Sequence, residues 1–90
     1  MNSYIIGKIK RIIFRGDNNY IIGVIKIKDT SNDLEEYKSR EVTFTGYFVD
    51  LNDIDNYQMY GKFIEHVRYG TQFESSKYER LKPEEKDSIV

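Results

Sequence analysis

This 90-residue sequence predicts an all-β fold, five short strands curled into a small barrel. Three observations carry that expectation. The chain holds eight Tyr and five Phe beside many Ile, side chains that suit a pleated, half-buried surface. Its apolar residues alternate, most cleanly in EVTFTGYF at Glu41 to Phe48. Clusters of Gly, Asn and Asp separate the alternating runs, and no run keeps a helical period long enough for a committed helix.

The first strand spans Ser3 to Arg15. Ile5, Ile9 and Ile13 share one parity with Gly7, whereas Tyr4, Ile6, Ile12 and Phe14 share the other. Apolar residues on both parities imply that the two ends of the strand bury different faces, as in a strongly coiled strand serving two sides of a barrel. Gly7 relieves crowding where it bends. Gly16-Asp17-Asn18-Asn19 is a turn, since Gly and Asn accept left-handed geometry and Asp and Asn bond nearby amides.

Tyr20 to Lys28 reads as the second strand, with Ile21, Ile25 and Ile27 on its core row and Tyr20, Ile22, Val24, Lys26 and Lys28 outward. Asp29 to Arg40 has the polarity of a loop, in which Leu34 and Tyr37 could anchor one helical turn. The third strand follows, with Val42, Phe44, Gly46 and Phe48 inward. Val49 to Asn56 is a short helical turn or irregular link that lays Leu51 and Ile54 against a barrel end. Strands four and five occupy Tyr57 to Leu81, joined at Tyr69-Gly70, where Gly70 can take a positive φ. Residues 1–82 thus form one domain. Pro83-Glu84-Glu85 resembles the opening of a helix in a linker at 83–90, which implies a front piece of a longer protein.

The chain contains no cysteine, which excludes disulfides, thiolate nucleophiles and cysteine-held metals. No apolar run approaches the roughly 20 residues of a membrane span, and the N-terminus lacks a signal-peptide pattern, so a cytoplasmic location is expected. The net charge is -1 but uneven. Residues 1–30 carry six Lys or Arg against two Asp, and residues 31–60 carry two basic against seven acidic side chains. A uniformly basic nucleic-acid footprint is absent, which leaves a local patch.

That patch would comprise Lys8, Lys10, Arg11, Arg15, Lys26 and Lys28, interleaved with Tyr20 and Tyr47. Single-strand recognition needs this combination, cations for phosphates and rings for bases. A second group surrounds the last turn. His66, the single histidine, alternates away from Glu65 and suits a hydrogen-bonded role at the Tyr69-Gly70 turn. Gln72 suits a bond across that turn or a contact with a neighbouring domain, and Phe73 suits the interior. Asp50, Asp53 and Asp55 lack the spacing of a calcium loop and read as solvated turn-formers.

Five strands with one long and several short connections fit an oligonucleotide-binding (OB) barrel, with an SH3-like barrel as the alternative. The sequence also resembles the N-terminal OB domain of the bacterial RecD-like ATP-dependent DNA helicases of the long type. The residues that carry the resemblance are Gly7-x-Ile9-x-x-Ile12-x-Phe14-Arg15, Val42-Thr43, Gly46-Tyr47-Phe48, Gly61 to His66 and Tyr69-Gly70-x-Gln72-Phe73, with Tyr78-Glu79. It departs from the family at Val67, where proline is frequent, and in the longer, more polar stretch Asp29 to Arg40.

The resemblance implies a parent enzyme that unwinds DNA from 5′ to 3′ with ATP and Mg, its motor domains following this module. The chain has no Gly-x-x-x-x-Gly-Lys-Ser/Thr loop, so no cofactor is expected here. Its near-zero charge favours an accessory module that docks on the following helicase domains or on another protein. A single-stranded DNA-binding module is the alternative.

Overall fold

The twelve residues YIIGKIKRIIFR form one continuous strand, and their two-parity pattern has a specific cause. A computed structural model describes residues 3–68 and 70–81. Strand β1 (Tyr4–Arg15) pairs antiparallel with β2 (Tyr20–Thr30), and the register slips at Ile6/Gly7, Ile9/Arg11 and Ile12/Phe14. The first places its extra residue, Lys28, in β2, while the other two insert Lys10 and Ile13 into β1 and turn the side chains after each of them to the other face. Ile5 and Ile9 are therefore buried before the Lys10 bulge, Ile12 packs on the core after it, and Ile13 and Phe14 emerge into solvent.

β3 (Glu41–Tyr47) lies antiparallel to β2, pairing Tyr47 with Tyr20 and Glu41 with Lys26. β4 (Asn56–His66) and β5 (Gly70–Leu81) form a long hairpin, and β4 also pairs with β1 through Tyr4 to Lys8. The turn contains Gly70 at φ 82°, a left-handed value. β3 meets β5 in parallel, and the strands follow one another in a ring, β1-β2-β3-β5-β4. This is a Greek-key order, not a simple meander.

The expectation of a small five-stranded OB-fold barrel needs correcting where the ring of strands meets itself. What completes the ring is a seam of three pairs, Thr43–Gln72, Phe44–Phe73 and Thr45–Glu74. β3 ends at Tyr47, while β5 runs on to Leu81 with an extra residue, Ser76, at the register slip opposite Tyr60/Gly61. The two strands part beyond Glu74 and leave a cleft of about 720 Å³. The architecture is a coiled five-stranded sheet held together along β3–β5 by a narrow seam.

Inside it lie Ile5, Ile9, Ile21, Ile25, Ile27, Phe44, Phe48, Tyr57, Met59 and Phe73. Ile21, Ile25, Ile27, Phe44 and Phe48 of the inward rows are buried as expected and Val42 is half-buried, while Val24 and Thr45, expected outward, are buried too. Phe63 packs edge-on against Phe73 at 5.0 Å. The expected turn after β1 is a short 3-10 segment, η1 (Asp17–Asn19), and the stretch expected as a loop holds a second one of six residues, η2 (Asn32–Tyr37), kinked at Leu34. η2 stacks Tyr37 on Phe63, with ring centroids 3.9 Å apart. Between β3 and β4 the chain makes no helix. The Tyr57 hydroxyl accepts from the Asn52 amide at 3.0 Å, and the Tyr78 hydroxyl accepts from the Val49 amide at 3.0 Å. The expected helix opening at Pro83-Glu84-Glu85, and Tyr69 in the turn, lie outside the described residues.

Candidate nucleic-acid interface

Cross-strand register builds the outer wall of the sheet row by row, because residues paired across neighbouring strands point the same way. One row runs Phe14, Ile22, Thr45, Glu74, Lys62. The next runs Arg11, Val24, Thr43, Gln72, Ile64. A third holds Lys8, Lys26 and Glu41, and a fourth holds Tyr20 and Tyr47. The rings of Tyr20 and Tyr47 meet edge-on, 5.2 Å apart at 60°, and Tyr47 keeps 65% of its surface exposed.

The sequence candidates therefore separate. Lys8, Arg11, Lys26, Tyr20 and Tyr47 share this wall. Lys10 is the inserted residue of a bulge, and with Arg11 and Arg15 it lines a depression beside Leu51, Asn52 and Asp53 of the β3–β4 connection. Lys28 stands at the far end of β2, close enough to Asp29 to act on it electrostatically. None of these six cations forms an ion pair among the described residues, whose two pairs are Lys38–Asp29 at 3.4 Å and Arg80–Asp55 at 3.8 Å.

Of the seven acidic residues at 31–60, Asp33 and Asp55 are engaged away from this wall, and so is Asp29. Asp33 accepts hydrogen bonds from the Ser3 and Ser31 hydroxyls, which hold its carboxyl below the usual value, Ser3 contributing most. Asp29 is likewise held low, first by the Thr30 amide and then by Lys38. Asp55 accepts from the Asn52 side chain at 2.9 Å, while Asn52 Oδ1 caps the amides of Ile54 and Asp55 at 2.8 Å each. Glu41 and Glu74 are the acidic side chains left on the rows described.

Near the β4–β5 turn, His66 Nδ1 accepts from the Arg68 amide at 3.1 Å, a bond within the turn. Gly70 is exposed, Gln72 is buried on the outer row, and Phe73 is fully interior, with no surface for a partner. Phe14, Thr43, Thr45, Lys62 and Glu74 escaped the sequence reading. Alternation puts Phe14 inward until the bulge count is known, and Lys62 and Glu74 join the wall only through the parallel seam.

The chain matches the family described as ATP-dependent DNA helicase YrrC, OB-fold domain, over residues 2–83. It belongs to that family. No solved structure matches it. Within the RecD-like helicases this OB-fold domain is a non-catalytic, accessory one. Its residues do not fit the ATP and Mg of such an enzyme. Neither Gly-Lys pair fits: Gly7-Lys8 of β1 has Asn2 where a phosphate loop needs its first glycine and is followed by Ile9, and Gly61-Lys62 of β4 has Asn56 there and is followed by Phe63. Among the described residues no group of three or more His, Asp or Glu is placed to hold a metal ion, and no helix is long and apolar enough to cross a membrane.

Proposed function

We propose that this OB-fold domain holds single-stranded DNA along the outer wall of β1, β2 and β3, as a cytoplasmic accessory to the ATP- and Mg-dependent motor of its parent helicase. The observation that carries the reading is the union on one wall of exposed rings, Phe14 and Tyr47, with three cations, Lys8, Arg11 and Lys26, that form no ion pair among the described residues. Rings offer faces to bases whatever the sequence, and cations replace the counterions of phosphates.

The test is a titration of the 90-residue chain against a short fluorescent poly-dT oligonucleotide. Binding is expected in about the 1–100 μM range at low salt, weakening as salt rises. Tyr47→Ala weakens it about tenfold through lost stacking. Absence of salt-dependent binding in that range overturns the reading.

A second reading has its own observation. Ile13 and Phe14 are 57% and 50% exposed and border an apolar depression with Ile22, Thr43 and Gln72. Exposed apolar surface of this kind suits docking against a following helicase domain or another protein. Loss of unwinding by the full-length parent on Phe14→Ser, with oligonucleotide binding by the isolated domain intact, would favour it.

A further inference from the structure

The cleft left where β3 and β5 part brings together a carboxylate, Glu74, and an ammonium, Lys62, a pairing that sequence-neutral binding does not need. Resting on the single-strand reading above, we propose that it is a guanine-selective base pocket on the path of the strand. Lys62 and Glu74 are direct register partners on β4 and β5, and Thr45 of β3 is the partner of Glu74 on the other side. All three line the cleft, with Tyr47 at its rim. Tyr47 lies two residues beyond Thr45 on the same face, about 7 Å along the strand. A base stacked on the Tyr47 ring thus turns its edge towards the Glu74–Lys62 pair.

The chemistry of that pair selects the base. A carboxylate offers two adjacent acceptors and an ammonium offers donors. Guanine presents on its pairing edge two adjacent donors, N1–H and the N2 amine, next to an acceptor, O6. Adenine, cytosine and thymine never place two donors side by side there. Both side chains are free to read it, since Glu74 and Lys62, though opposite one another, form no ion pair. The nearby hydroxyls are engaged: Ser76 donates to the Tyr60 carbonyl at 3.2 Å and Ser75 to the Lys77 carbonyl at 3.3 Å. Selection therefore rests on Glu74 for the two donors and Lys62 for O6.

The experiment compares the 90-residue chain binding to poly-dT oligonucleotides that carry one central dG, dA, dC or deoxyinosine. The dG oligonucleotide is expected to bind about tenfold tighter than poly-dT, the scale of one bidentate contact. Deoxyinosine, which lacks the N2 amine, falls back towards poly-dT, and in Glu74→Gln the dG-to-dT ratio collapses towards one. Equal binding of all oligonucleotides overturns the pocket and leaves the single-strand reading standing. A dG preference that survives in Glu74→Gln, or that deoxyinosine shares in full, also overturns it. No binding to any of them defeats the single-strand reading and the pocket with it.

Discussion

Gly61 stands where β4 crosses β5 so closely that an added Cβ would lie 2.0 Å from the Glu74 carbonyl oxygen. Gly7 meets the Lys26 carbonyl oxygen at the same 2.0 Å. Both neighbours are backbone and cannot swing aside, so an alanine forces the strands apart. Gly61→Ala is expected to cost about 3 kcal/mol, the upper end for overpacking, read as a lowered denaturant midpoint. An unchanged midpoint would mean that the close crossing does not exist. The two glycines were not equally legible. Gly7 interrupts an isoleucine-rich strand and reads as relief at a bend, whereas nothing local marks Gly61, because the atom that excludes a side chain belongs to the opposite strand.

At the level of elements, alternation was a sound guide where pairing is regular and failed at bulges. β3 pairs with β2 through Tyr20 to Lys26 without a slip, and its inward row followed from the sequence. β1 slips three times, and the exposure of Ile13 and Phe14 depends on where those slips fall. A slip is chosen by the partner strand, so β1 alone cannot announce it. η2 shows the same limit. Leu34 and Tyr37 marked a turn, but the partner of Tyr37 is Phe63, distant in sequence. The Tyr37 ring, stacked at 3.9 Å on Phe63 and crossed by Arg40 at 5.9 Å, fastens η2 over one end of the sheet. Tyr37→Ala should lower stability by about 2 kcal/mol, the scale of losing a large, partly buried ring and its aromatic contact. It should also speed amide exchange at Lys38 and Ser39, whose amides bond to the Glu35 and Ile27 carbonyls next to η2. Protection unchanged at those two amides would show that the stack does not hold η2 down.

Over the whole molecule, a net charge of -1 conceals a division of labour in which three carboxylates are engaged away from the basic wall. Asp29 and Asp33 answer to Lys38, Ser3 and Ser31 around η2, and Asp55 answers to Arg80 and Asn52 in the β3–β4 connection. Composition shows the acidic residues but not their partners, which is why charge alone gave an ambiguous answer about nucleic acid. The same arrangement predicts a response to acid. Asp29 and Asp33 both titrate below the ordinary 3.8 in the folded chain, for the hydrogen-bonding reasons given above. A depressed carboxyl means that the unfolded chain binds more protons than the folded one near that pH. The stabilisation is therefore complete above the unfolded value and disappears as pH falls through the folded one. The denaturant midpoint should hold steady from about pH 7 to about pH 5 and decline below about pH 4. Asp33→Asn, which keeps one acceptor for the two serines but cannot titrate, should decline less steeply over the acid limb. Because both carboxylates are exposed, the difference is a change of slope and not a collapse of the fold. Parallel acid limbs for the two proteins would show that the serine hydroxyls do not hold Asp33 in its charged form.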